Sequence, residues 1–93
     1  MTDQNLRGLV DYYASQLQSD IDRIYAPELE TAQAKLERAR NAPYLHDAAV
    51  QHESARLERA YAEYNDAVHR LERLRAGGFT SAAEIEAIYS GAA

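Results

Sequence analysis

Between Asp47 and Ala76 apolar residues return with a seven-residue rhythm. Val50, Leu57, Tyr64 and Leu71 form one column, and Ala60, Ala67 and Leu74 form a second, three residues further on. A seam of this kind belongs to a helix that lies along another helix. No Pro or Gly interrupts it, so the spacing predicts one helix over about 47–76, roughly 45 Å long at 1.5 Å per residue. Tyr64 sits at mid-seam, and its truncation to alanine is expected to cost about 3 kcal/mol.

The N-terminal half carries a second stripe, Leu6, Val10, Tyr13, Leu17, Ile21 and Ile24, whose steps lie closer to an eleven-residue rhythm. Thr2 or Asp3 can cap its first turn. Pro27 is the one breaker: it donates no backbone hydrogen bond and disfavours helical backbone at Ala26. Either the helix kinks and continues, or a new helix begins with Pro27 in its first turn; the kinked helix over about 3–40 is the reading adopted. The stripe resumes as Tyr25, Leu29, Ala32, Leu36 and Ala39. Residues 41–46, with Asn41 and Pro43, form the turn, and Asp47 caps the helix that follows. Gly77-Gly78 stops that helix. Ser81 and Glu84 make a capping box for a short helix over about 81–90 bearing Ile85, Ile88 and Tyr89.

A short turn between long helices makes them antiparallel neighbours. The expected fold is therefore all-α: an antiparallel, coiled-coil-like hairpin with a short third helix, one domain over 1–93. The expected register pairs Leu36 with Val50, Leu29 with Leu57, and Leu17 with Leu71. It places Asp11, Asp20 and Asp22 near Arg70, Arg73 and Arg75, and Lys35, Arg38 and Arg40 near Asp47, Glu53 and Glu58. A chain of 93 residues buries only about 60–65% of its unfolded surface, so a lone hairpin is marginal. Tyr61 and Val68 add a further apolar column to the second long helix. Together these predict completion as a homodimeric helical bundle.

The net charge of −5 disfavours nucleic acid and anionic lipid as partners. No apolar run is long enough to span a membrane. Met-Thr-Asp-Gln-Asn lacks the basic and apolar regions of a signal peptide, and there is no Cys; the expected location is the cytoplasm. His46, His52 and His69 lack chelating spacing, so no metal or other cofactor is expected. No nucleophile elbow, phosphate loop or buried carboxylate pair is present, and no catalytic residue is assigned. The seven tyrosines are the notable excess, since Tyr joins a large apolar body to a polar tip and is enriched at interfaces. The candidate partner or dimer interface is Tyr61, Tyr64, Val68, Leu71, Phe79, Ile85, Ile88 and Tyr89. The terminal helix either caps the open end of the hairpin near Leu6, Val10 and Leu74 or is presented to a partner.

In size and helix–turn–helix plan the chain resembles the WXG100 family of secreted helical hairpins. It departs from that family where Ala42-Pro43-Tyr44 stands in place of Trp-x-Gly, and no Tyr precedes an Asp or Glu by four residues. Its Ala-, Arg- and Glu-rich vocabulary is similar to that of small helical proteins of actinobacterial phages. That resemblance implies binding to host growth or division proteins, with no residue roles attached. The function expected is a non-enzymatic protein–protein interaction module, a regulator or inhibitor binding through an apolar, Tyr-bearing helix face. The alternatives are a self-associating scaffold and a WXG100-like secreted hairpin.

Overall fold

The computed structural model describes residues 3–43 and 47–91, with Asp3 and Gln4 described by backbone alone. A cap at Thr2 and the turn residues Tyr44, Leu45 and His46 lie outside the described residues. Helix α1 spans Asp3–Asp20, a π-helical turn spans Ile21–Tyr25, and α2 spans Ala26–Asn41. Helix α3 spans Asp47–Ala76 and α4 spans Ala82–Ser90. No strand occurs among the described residues. Helix α3 returns along α2 and then along the π turn and α1, giving a rod of 62 × 20 × 15 Å.

Helical backbone runs without a break from Asp3 to Asn41, and the π turn is what carries it past Pro27. An α-helix would need an amide at position 27 to meet the Arg23 carbonyl, and the proline ring would crowd that carbonyl. In the wider turn the amide of Ala26 reaches the Ile21 carbonyl, five residues back. The extra residue shifts the helical phase. Tyr25 packs against the core, whereas Ile24, expected on the inward stripe, is 46% exposed.

The core is lopsided. At the open end Leu6, Ala14, Leu17, Ile21, Ala67, Leu71, Leu74, Ile85 and Ile88 form one cluster drawn from α1, the π turn, α3 and α4. Toward the turn α2 and α3 stand alone, and among the described residues only Ala32, Leu36 and Ala60 are buried there. The molecule is thus a three-helix base carrying a two-helix arm.

Within α3 the inward column is Ala60, Ala67 and Leu74, all buried. Of the other column only Leu71 is buried; Val50, Leu57 and Tyr64 are half-buried along one flank. Tyr64 is therefore not at the centre of the seam. Small Ala side chains let the helices approach closely and push the larger residues of the neighbouring column outward. Glu53 continues the inward column one heptad before Ala60, and its Oε2 is out of solvent with no partner among the described residues.

The expected cross-helix ion pairs are not formed among the described residues. Arg70 instead bonds to Asp66 of its own helix at 2.9 Å and to the Tyr89 carbonyl. Arg75 donates to Gln18 Oε1 at 3.3 Å, and Gln18 donates in turn to Asp22 at 3.1 Å. Leu57 lines a groove with Leu36 and Arg40, nearer the turn than its expected pairing with Leu29 would place it.

Helix α4 folds back because Gly77 and Gly78 take φ of 75° and 82°, backbone that L side chains rarely adopt. Ser81 Oγ accepts from the Glu84 amide at 3.3 Å, one half of a capping box. The other half differs from expectation: Glu84 reaches past Ser81 to the Thr80 amide at 3.2 Å and the Thr80 hydroxyl at 2.7 Å. The Thr80 hydroxyl, followed by the amide, holds the Glu84 carboxyl below its ordinary value of 4.5. A carboxylate whose pKa falls on folding stabilises above its unfolded-state pKa, and that contribution is lost as the pH falls through the folded one. The melting temperature should therefore drop below about pH 4.5, and Glu84→Gln should flatten that part of the profile. An identical acid profile for both chains would show that the Thr80 contacts do not hold in solution.

Candidate protein-docking surface

The sequence-predicted interface residues divide into two groups. Ile85 and Ile88 are 0% and 5% exposed, inside the chain's own core, and Leu71 is buried with them. Phe79 and Tyr89 pack against the same cluster. The apolar face of α4 is thus covered by α1 and α3, so these residues form an intramolecular seam rather than an open surface. Tyr64 and Val68 are half-buried and pack against that cluster too, so of the predicted interface residues only Tyr61, 44% exposed, stands clear of it.

The seam beneath α4 is held at its C-terminal end. The Tyr13 and Tyr89 rings lie 4.6 Å apart with planes tilted by 31°, and Tyr12 meets Tyr13 edge-on at 5.3 Å. Burial pushes the Tyr89 phenol above its ordinary pKa, with Asp20 adding to the effect and Arg70 partly offsetting it. The Arg70 guanidinium meets the Tyr89 carbonyl in the last turn of α4, where the helix dipole favours a cation. Nothing in the periodicity signals this contact, because a long Arg side chain can serve two partners and sequence spacing reports only the near one.

The open flank is built by helical phase. Leu57, Tyr61, Tyr64 and Val68 follow one another by four, three and four residues, so they line one side of α3. Leu57, Tyr64 and Val68 are half-buried, and Tyr61 is 44% exposed. No Asp, Glu, Lys, Arg or His falls within the column. Arg70, which receives α4, is nine residues on from Tyr61, or roughly 180° around the helix. The column therefore faces away from α4.

A second open feature lies at the π turn. Ile24 and Pro27 join Ala32 and Ala60 as the apolar lining of a groove of 470 Å³, rimmed by Arg23, Arg56, Arg59, Glu28 and Glu63. The sequence carries one signal of this groove, Pro27 three residues after Ile24 on the inward stripe. No cluster of three or more metal-ligating side chains occurs among the described residues. No helix among them is long and apolar enough to cross a membrane. Compared with known protein families, curated proteins and solved structures, the chain matches none.

Proposed function

We propose that the chain is a non-enzymatic protein-interaction module, a regulator or inhibitor acting in the cytoplasm. It binds a partner protein through the apolar flank of α3 that carries Tyr61. The observation that carries this reading is Tyr61, exposed on α3 and flanked along one side of the helix by the half-buried edges of Leu57, Tyr64 and Val68. Aromatic anchors flanked by aliphatic neighbours are the usual energetic centre of protein interfaces. A photoreactive phenylalanine analogue at position 61, introduced in living host cells, tests the reading. It should cross-link to a discrete protein, whereas the same analogue at the exposed Arg73 position should not. Equal labelling from both positions, or none from either, would remove the assignment.

A self-associating scaffold is the second reading, and the shape of the molecule favours it. The radius of gyration is 17.8 Å, against about 12 Å for a compact domain of this length. The solvent-accessible surface is 6438 Å², against about 5,400 Å² for a compact monomer of this mass. Both departures follow from the 62 × 20 × 15 Å rod form, and they leave surface that a homodimeric bundle would cover.

A further inference from the structure

We infer that the occupant of the Tyr61 flank is a second copy of this chain, packed antiparallel so that two hairpins form a four-helix bundle with both α4 helices on the outside. The inference rests on the interaction-module reading of the same flank and names its partner. The first support is area. The chain exposes about 1,000 Å² more than a compact monomer of its mass, and one side of a standard, stable interface buries about 800 Å². The surplus is the size of one half of a dimer.

The second support is the order of residues along the column. Steps of four, three and four read the same in either direction. Reversing the helix about a point between Ala62 and Glu63 sets Tyr61 over the partner's Tyr64 and Leu57 over the partner's Val68. Every large apolar residue then meets another, as a two-fold interface requires, since the same patch must serve both subunits. The third support is steric. Helix α4 meets α3 on its Arg70 side, roughly opposite Tyr61, so α4 does not stand between two such flanks. Antiparallel packing also lays the thin arm of each copy, in which Ala32, Leu36 and Ala60 are the buried residues among those described, against the other copy.

Sedimentation of the full chain at micromolar concentration should give twice the 10.4 kDa chain mass. Tyr61→Glu should return it to the single-chain mass while the helical circular dichroism is retained, because Tyr61 supports no intramolecular core. Direction is read by cross-linking, which the absence of native Cys makes clean. Chains carrying Leu57→Cys and Val68→Cys should form a disulfide when mixed and not when oxidised separately. A natural chain that stays at single-chain mass overturns the inference; if position 61 then cross-links a foreign protein in cells, the interaction-module reading survives alone. A dimer that persists in Tyr61→Glu places the interface elsewhere and overturns the inference. Disulfides formed by each variant alone would refute the antiparallel register.

Discussion

An alanine in place of Leu74 is expected to lower the free energy of unfolding by about 4 kcal/mol, near the top of the range for large-to-small core changes. Leu74 is fully buried and belongs to the cluster that joins α1, α3 and α4. Its truncation leaves a cavity where three helices meet, and none of them can collapse into it without leaving the other two. Tyr64→Ala should cost less, because Tyr64 is only half-buried and its void opens to solvent. Glu72→Ala, on the exposed face, should stay within about 0.5 kcal/mol of the natural chain. Denaturant melts at one fixed protein concentration make the comparison, since self-association would otherwise shift the midpoint. Equal losses at Leu74 and Tyr64 would mean that the inward column has been misassigned.

Ending the chain after Gly78 should have the larger effect. Helix α4 contributes Ile85 and Ile88 to the core, with Phe79 and Tyr89 packed on it. Burying such side chains is worth ~1.5–3 kcal/mol each, so the two isoleucines alone account for ~3–6 kcal/mol. Whole domains are stable by only about 5–15 kcal/mol. The truncated chain should lose far more helical signal than the nine residues of α4 represent, and α1 should exchange its amide hydrogens fastest. A truncation that keeps the natural melting temperature would show α4 to be an appendage.

Much of this architecture is written in local signals. Gly77-Gly78 announces a left-handed stop, Ser81 an N-cap, and the heptad columns of residues 50–74 a long helix with one inward side. Each of these depends on a few neighbouring residues, which is why it can be read from them. What escaped depends on choices between near-equivalent partners. Periodicity identifies the inward side of α3 but not which of two adjacent columns is central, and the smaller residues, Ala60 and Ala67, took that place. The accommodation of Pro27 by a π turn has no sequence signature of its own, so the outward rotation of Ile24 could not be read. Charge complementarity suggested cross-helix pairs, yet exposed ion pairs are worth so little that Arg70 went to Asp66 of its own helix and a backbone carbonyl, and Arg75 to an amide. The Tyr61 column was legible because it is large and apolar. The covering of Ile85 and Ile88 was legible as the capping alternative near Leu6, Val10 and Leu74, but their placement in an open interface was not upheld, since an amphipathic helix looks the same whether its partner is its own chain or another.

The lopsided core also bears on the order in which the chain acquires its structure during synthesis. The base joins α1 to α4, segments more than sixty residues apart, so it cannot assemble until residues 82–90 have left the ribosome. The arm needs only α2 and the start of α3 and could form while translation continues, yet among the described residues it is the half with fewer buried. What forms earliest is thus what holds least. A ribosome stalled while residues 79–90 are still in its exit tunnel should display a hairpin that a protease cuts readily, and release should bring resistance within the sub-second times usual for small helical domains.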